Sequence, residues 1–169
     1  MERPHWVVET MGVEPDDHLL EVGCGSGYAV SLVCQRLDAG RIVALDRSAR
    51  MTRLAIERNA GYVGAGRAEI RCAAFEAADL PAGQFDKIFS VNVSLFWLGD
   101  PDRAIERVKR LLAPRATLYV FAERATRASA AAIGAKAGDL LAAHGLHPRT
   151  TTATSRRGHA LVCVSGTLA

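Results

Sequence analysis

Three alternating glycines follow a short apolar segment near the start of the chain, in the stretch LLEVGCGSGY at residues 19–28. Glycine has no Cβ, so Gly23, Gly25 and Gly27 can adopt positive φ angles and bring backbone amides close to a bound molecule. Glycine-rich turns between a buried strand and a helix are typical of nucleotide sites in α/β sheets. The loop therefore predicts an α/β fold with a ligand beside this turn.

Strand-like and helix-like segments alternate along the rest of the chain. Helical spacing of apolar residues continues from the glycines to residue 40, and RIVALD at 41–46 is a short apolar run. Further helices are predicted at 48–61, 100–114 and 128–145, further strands at 68–74, 85–93 and 116–123, and a closing antiparallel hairpin at 149–157 and 159–166. This order predicts an α/β fold with a doubly wound, Rossmann-like sheet, mostly parallel with a closing antiparallel strand.

Length and composition predict one domain over residues 1–169, because 169 residues with 49% hydrophobic content suit a single core. No apolar run approaches the roughly 20 residues needed to cross a bilayer, and the first residues are too polar for a secretory signal. We therefore expect a cytoplasmic protein without a membrane partner.

Charge and cysteine content exclude two further classes of site. The net charge is only +3, and the 18 arginines and 3 lysines are spread beside acidic residues, which argues against a nucleic-acid partner. The four cysteines, Cys24, Cys34, Cys72 and Cys163, lie far apart without the spacing of a zinc site, so no metal is predicted. Packing is the preferred interpretation of Cys24, although it lies within the glycine loop.

A second signal for a nucleotide is Asp46, which closes the second strand 19 residues beyond Gly27. A carboxylate at this point can accept hydrogen bonds from both hydroxyls of a ribose. The alternative is a set of turn glycines with a helix-capping aspartate, but two independent features in the right order favour a nucleoside ligand. That ligand can be a dinucleotide or a sulfonium nucleoside. The G-x-G-x-x-G spacing of dinucleotide folds fails at Tyr28, and Glu21 would repel phosphate but attract a cation.

These residues resemble the first motifs of the class I S-adenosylmethionine-dependent methyltransferases, over roughly residues 5–165. The family's E-x-G-x-G-x-G motif is matched by Glu21, Gly23, Gly25 and Gly27, and its acidic end of strand two by Asp46. The resemblance implies a seven-stranded methyltransferase-type sheet and S-adenosylmethionine as cofactor. It also implies that the loop, with Cys24, wraps the methionine part, that Asp46 holds the ribose, and that Arg47 and Met51 lie beside the cofactor.

The stretch FEAADLPAGQFDKIFSVNVSLFWLGDP resembles the family's next motifs. The resemblance places Glu76 at the amino group of the adenine, the backbone amide of Ala77 at the ring, and Asn92 beside the cofactor after strand four. Phe75 stands where a glycine is common, which predicts either a tighter adenine edge or a shifted register. Arg115 and Ala116 replace two glycines, and since neither readily adopts positive φ, we expect the turn there to differ.

The acceptor pocket is expected beyond strand four, at VNVSLFWLGD. This stretch is similar to the N-x-x-L-x-W form of family members that act on small molecules, which implies a small-molecule acceptor. Asn92, Phe96 and Trp97 are the candidate catalytic or pocket residues, with core packing as the alternative for the two aromatic rings.

No catalytic base is evident from the sequence, and methyl transfer from a sulfonium needs one only if the acceptor must lose a proton. His5, in the segment before the first strand, is the first candidate, and Tyr28 can contact the cofactor or the acceptor. Two other functions stay open: an oxidoreductase that binds NAD(P), and a noncatalytic accessory domain. A homo-oligomer is a further alternative, in which a partner chain closes an otherwise open pocket.

Overall fold

A seven-stranded sheet organises residues 2–168, which are the residues that this computed structural model describes. The strands are β1 (His18–Val22), β2 (Arg41–Asp46), β3 (Ala68–Cys72), β4 (Phe85–Val91), β5 (Leu112–Arg124), β6 (Leu146–Thr154) and β7 (Ala160–Leu168). The helices are α1 (Arg3–Met11), α2 (Tyr28–Cys34), α3 (Ala49–Arg58), α4 (Ala60–Gly64), α5 (Pro101–Leu111) and α6 (Arg127–Ala143), with a short 3₁₀ turn at Ser94–Phe96. The strand order is β3-β2-β1-β4-β5-β7-β6, and only β7 runs antiparallel to its neighbours β5 and β6. The predicted fold class and the closing antiparallel hairpin are confirmed.

The central strands are apolar on both faces, because helices cover both sides of the sheet. Successive side chains of a strand point to opposite faces. Leu19 and Phe89 therefore pack into one core with α1 and α2, while Leu20 and Ile88 pack into the other with α5. In the sequence these strands are therefore continuous apolar runs, without alternation of apolar and polar residues.

The helical segment predicted at 48–61 is two helices, α3 and α4, separated at Asn59. The side chain of Asn59 is buried, and its Nδ2 donates to the carbonyl oxygens of Gly27 at 3.0 Å and Ala55 at 2.9 Å. The chain turns at Asn59, where this buried amide also holds the glycine loop against α3. Helix α1, ahead of the first strand, was not predicted; its Trp6 packs edge-to-face on Phe121 of β5, with ring centroids 5.4 Å apart.

The expectation that Arg115 would not adopt a positive φ angle is wrong. Arg115 takes φ +65°, the left-handed conformation that a glycine would adopt there. Helix α5 ends at Leu111 and β5 begins directly at Leu112, with a shift in its pairing to β4 between Phe85 and Lys87. The left-handed conformation costs an arginine about 1–2 kcal/mol, and here it occurs at the irregular start of β5.

The order of strands reverses beside β1, which pairs with β2 on one side and β4 on the other. In open α/β sheets, ligands bind outside the carboxyl ends of the strands at such a point. The glycine loop leaves β1 there, next to the ends of β2 and β4. Among residues 2–168, no helix has the length and apolar character that crossing a membrane requires.

Candidate functional site

The three glycines of the first loop all have positive φ, but they serve different purposes. A Cβ on Gly23 would lie 2.5 Å from Cγ2 of Val93, and one on Gly27 would lie 2.9 Å from Cβ of Ala55. A Cβ on Gly25 would meet nothing within 4 Å. Gly23 and Gly27 are therefore needed for close packing, while Gly25 is the glycine that opens onto free space.

The amides of this loop are used within the protein, which differs from the expectation that they face a ligand. The amides of Gly23 and Cys24 both donate to the carbonyl oxygen of Leu45 at 2.8 Å. The Gly25 amide donates to Oδ2 of Asp46 at 2.9 Å. The loop folds back on the end of β2, because these donors would otherwise lose their hydrogen bonds on burial.

Asp46 is half-buried at the end of β2, where its two oxygens bind two different loops. Oδ2 accepts from Gly25, and Oδ1 accepts from the amide of Ser48 at 2.9 Å. Each carboxylate oxygen has a second lone pair, so Asp46 can still accept hydrogen bonds from a ligand. It therefore caps the turn and faces the cavity at the same time.

A cavity of about 580 Å³ lies at the carboxyl ends of the central strands, within the size range of small-molecule sites. We call it the main cavity. Its lining residues are Val22, Gly23, Gly25, Leu45, Asp46, Arg47, Ala73, Ala74, Phe75, Glu76, Val91, Asn92, Val93, Ser94, Leu95, Leu98 and Gly99. Six of the predicted cofactor residues, from Gly23 to Asn92, thus come together around one space.

The main cavity is not lined by five of the predicted cofactor residues: Glu21, Cys24, Gly27, Met51 and Ala77. Met51 is half-buried on α3, and its amide donates to the Ser48 hydroxyl. The amide of Ala77 donates to the carbonyl oxygen of Ala74 at 3.1 Å, so it is already used. Leu95 and Leu98 line the cavity, and the two aromatic residues between them do not. Neither leucine was among the predicted site residues. Residues 95–98 are all apolar, so no periodicity in the sequence marks the two that line the cavity.

Arg107 supports the turn that is predicted to hold the adenine, and it was not among the predicted site residues. Arg107 of α5 lies over the ring of Phe75, with its guanidinium carbon 5.2 Å from the ring centroid, and it donates to the carbonyl oxygen of Ala78. These two contacts attach the turn that contains Glu76 to helix α5. A buried Phe75 in place of a glycine thus gives the turn a packed support.

Glu21 is the most perturbed acid of the site. Its side chain is 2% exposed, and its Oε2 has no hydrogen-bond partner within residues 2–168. Burial raises the pKa of Glu21 to about 8, and the negative charge of Asp46 adds to the rise. The carboxyl group is therefore mostly protonated at neutral pH and would gain from a nearby cation.

Glu21 lines a second cavity of about 170 Å³, which we call the loop cavity. Its lining residues are Arg3, Pro4, Val7, Glu21, Gly23, Cys24, Gly25, Ser26, Tyr28, Ala29 and Val91. Cys24 is buried in the core, and burial raises its pKa, as expected for a packing residue. Tyr28 is about half exposed at the edge of this cavity, with the Arg58 guanidinium 4.2 Å above its ring.

The candidate acceptor residues are placed in three different settings. Phe96 is fully buried in the core that also contains Ile88. Trp97 is half-buried, and the guanidinium of Arg124 lies 5.5 Å from its ring centroid. Asn92 has φ +57°, and its Oδ1 accepts from the amide of Glu123 at 2.8 Å, so it ties the end of β4 to the end of β5. Neither aromatic ring lines the main cavity.

The candidate base His5 lies on an exposed face of α1, with its Nδ1 4.0 Å from a carboxylate oxygen of Glu2. It lines neither the main cavity nor the loop cavity; its neighbours Arg3, Pro4 and Val7 line the loop cavity instead. His5 therefore lies outside both cavities, and its role as a base stays a prediction. Across residues 2–168, no three histidine, cysteine, aspartate or glutamate side chains are grouped so as to hold a metal ion.

Comparison with known proteins agrees with this geometry. Residues 19–115 match a family model described as a methyltransferase domain. The chain is 30% identical over 109 residues to the uncharacterized methyltransferase YdaC of Bacillus subtilis, covering 64% of this chain and 58% of that protein. It is 27% identical over 121 residues to a trans-aconitate 2-methyltransferase of Paracidovorax citrulli, covering 69% of this chain and 42% of that protein.

The fold has close structural counterparts. A SAM-dependent methyltransferase from Aquifex aeolicus superposes with a TM-score of 0.79 at 19% identity, covering 99% of this chain and 90% of that one. The matched regions span less than two thirds of the two curated relatives. The family model covers more than half of the chain and includes β1, the glycine loop, Asp46 and β4. The chain belongs to the class I S-adenosylmethionine-dependent methyltransferase family.

Proposed function

We propose that this chain transfers the methyl group of S-adenosylmethionine to a small-molecule acceptor by in-line displacement. The observation that carries the proposal is Glu21, a buried carboxyl group whose Oε2 has no hydrogen-bond partner within residues 2–168. Glu21 lines the loop cavity together with Gly25, the open glycine of the loop. An ammonium or sulfonium group there would stabilise the ionised carboxylate, whereas a phosphate would be repelled. This favours a sulfonium nucleoside over NAD(P).

Five residues are suited to hold the cofactor: Asp46, Glu76, Phe75, Gly25 and Glu21. The remaining lone pairs of Asp46 suit the ribose hydroxyls, and Glu76 and Phe75 also line the main cavity, where they suit the adenine. Gly25 allows close approach beside Glu21. When bound, the cofactor supplies a methyl group on a positively charged sulfur, which is a good leaving group. The residues of the chain then have to align the acceptor and exclude water.

Two observations support a small acceptor. The main cavity has the volume of a small-molecule site, and its apolar wall of Leu95 and Leu98 follows β4 directly. One of the relatives acts, by its name, on trans-aconitate, a small acid. We also propose that residues 1–169 form one methyltransferase domain, that the protein acts in the cytoplasm, and that a homo-oligomer can close the open side of the pocket.

Thermal shift measurements with S-adenosylmethionine, its demethylated product, NAD(H) and NADP(H) test the cofactor. At a hundredfold excess over Kd, a ligand should add about 2.7 kcal/mol, which corresponds to several degrees in Tm. We expect a shift with the first two ligands only. A tenfold weaker Kd in Asp46→Asn should reduce this stabilisation to about 1.4 kcal/mol, while Asp139→Asn, an exposed aspartate of α6, serves as the matched control.

A screen with a radiolabelled methyl donor against small O-, N-, S- and C-nucleophiles tests turnover. Transfer of label to a small molecule supports the proposal. Binding of S-adenosylmethionine with no transfer to any nucleophile would instead favour a noncatalytic domain that keeps the fold. A Tm shift with NAD(P) alone would contradict the proposed cofactor.

A further inference from the structure

A further cavity, of about 250 Å³, adjoins the main cavity where α5 begins, and we call it the α5 cavity. The two cavities share a wall formed by Phe75, Glu76, Leu95, Leu98 and Gly99. The other lining residues are on α5 or at its N-cap: Asp100, Arg103, Ala104, Arg107 and Arg110. None of these five lines the main cavity. The α5 cavity therefore offers space outside the cavity that suits the cofactor.

Three arginines of α5 line this cavity, and they follow one another at helical spacing. Residues three or four positions apart lie on the same face of a helix, so Arg103, Arg107 and Arg110 form one row. None of the three forms a salt bridge within residues 2–168. The row therefore presents unpaired positive charge to the cavity.

The carboxylates closest in sequence to these arginines have other partners. Asp102 and Glu106 each contact a ring nitrogen of His144, the C-cap of α6, at 2.7 Å. Asp100 accepts the amide hydrogen at position 103 and so caps α5. Asp100 and Glu76 line the α5 cavity, and in the described part of the chain neither forms a salt bridge. Three guanidinium groups against two carboxylates leave the wall of the cavity with an excess of positive charge.

Arg107 is held in place by neutral groups. It is half-buried over the ring of Phe75, and its Nη2 donates to the carbonyl oxygen of Ala78. Its Nε is buried and has no hydrogen-bond partner among residues 2–168. A partly buried charge without a counter-charge is unfavourable, and an anion in the cavity would compensate it. The guanidinium group of Arg107 is therefore positioned for an anion before one binds.

We propose that the α5 cavity binds the diphosphate group of a small molecule through Arg103, Arg107 and Arg110. The row extends over about 10 Å of helix, so an anion with charged oxygens on two linked groups can contact more of it than a single phosphate or carboxylate can. Guanidinium groups bind phosphate oxygens through paired hydrogen bonds, which favours arginine over lysine in such a site. The inference does not depend on the proposed function, because the three arginines lie outside the main cavity.

Calorimetric titration of the full chain with pyrophosphate tests the site, in a buffer without phosphate or divalent cations. Methylenediphosphonate should bind like pyrophosphate, whereas inorganic phosphate and malonate should bind more weakly. Added salt should weaken all four anions, because the rim of the site is exposed. The Kd for pyrophosphate should stay within about twofold when the demethylated cofactor is saturating, since the two ligands occupy different cavities.

The R103Q/R110Q double variant should raise the Kd for pyrophosphate about tenfold or more, because it removes two charge-assisted contacts. Both side chains are exposed, so the melting temperature should match that of the parent. The matched control is R36Q/R41Q, which removes the same charge from two exposed arginines outside the cavities described above. The control should bind pyrophosphate like the parent, and R103Q alone should give an intermediate Kd.

Four results would overturn the proposal. They are absent binding of pyrophosphate, equal weakening in the two double variants, displacement of pyrophosphate by the demethylated cofactor, and malonate binding as tight as that of pyrophosphate. A single-stranded RNA that binds more tightly than pyrophosphate and loses affinity in R103Q/R110Q would assign the arginines to a nucleic acid instead. Failure of the proposed function is separate, because it appears as absent binding of S-adenosylmethionine to the parent protein without pyrophosphate.

Discussion

Oδ2 of Asp46 accepts a hydrogen bond from the amide of Gly25 at 2.9 Å, which joins the end of β2 to the open glycine of the first loop. The glycine loop and Asp46, the two strongest signals in the sequence, are therefore held together by a hydrogen bond. The carboxylate holds the loop at the position where a ligand can approach closely, and its other oxygen holds the start of α3 through Ser48. Changes at Asp46 should consequently affect both cofactor binding and the local fold.

Asp46→Asn should weaken binding of S-adenosylmethionine at least tenfold and destabilise the protein by about 1–3 kcal/mol. The amide side chain keeps only one accepting oxygen, so one of the two backbone amides loses its partner and the charge-assisted bonds to a ribose are lost. Calorimetric titration and urea unfolding of the same protein, with Asp139→Asn as control, measure both quantities. Unchanged affinity would mean that Asp46 only caps the turn.

Gly25→Ala should mainly weaken cofactor binding, whereas Gly27→Ala should mainly destabilise the fold. At Gly25 the new Cβ enters open space, so Gly25→Ala should cost only about 1–2 kcal/mol for its left-handed φ while blocking the cofactor. At Gly27 the Cβ would collide with Ala55 and Asn59, so overpacking adds about 1–3 kcal/mol to the same strain. Melting curves and cofactor Kd for the two variants decide the matter. Tight cofactor binding by Gly25→Ala would place the ligand elsewhere.

The stability of the ligand-free protein should depend on pH through Glu21. Because burial raises its pKa from 4.5 to about 8, the folded state binds more protons than the unfolded state between these values. Stability contributed by the protonated group is therefore lost as pH rises through that window, with a slope of at most about 1.4 kcal/mol per pH unit. Urea unfolding between pH 5 and pH 8 should show a flatter dependence for Glu21→Gln than for the parent.

Binding of S-adenosylmethionine should be coupled to release of the Glu21 proton. A cationic ligand favours the ionised carboxylate, so the affinity should rise with pH up to about pH 8 and then level off. Calorimetry in buffers of different ionisation enthalpy measures the released protons, and Glu21→Gln should release fewer. Ionisation of the ligand itself is common to both proteins and cancels in the comparison. Equal proton release by the two proteins would contradict this coupling.

Phe96→Ala should destabilise the protein by about 3–5 kcal/mol, because its ring is fully buried in the core. Trp97→Ala should cost less, since the ring is half-buried and its contact with Arg124 is a partly exposed cation–π pair of about 0.5–1 kcal/mol. Melting temperature, cofactor Kd and turnover measured on both variants separate the roles. A Phe96→Ala protein as stable as the parent would show that the ring does not serve the core.

The sequence by itself determined the fold class, and it predicted the cofactor end of the site. These depend on local patterns: apolar strands alternating with helices, glycines at fixed spacing, and an aspartate at a strand end. Their positions along the chain are enough, because a parallel sheet brings the carboxyl ends of its strands to one edge. Gly25 and Asp46 were predicted in this way, whereas Glu76 was predicted only from the resemblance to the family.

Only the tertiary structure decided which residue does what. Phe96 and Leu95 are neighbours in the sequence, yet one is core and the other lines the cavity, because a 3₁₀ turn points successive side chains in different directions. The glycine amides bind the end of β2, and the pKa of Glu21 rises through burial by strands that are distant in sequence. A cavity of about 340 Å³ joins the start of α1 to the turn between β6 and β7, at opposite ends of the chain, so no local pattern could have shown it.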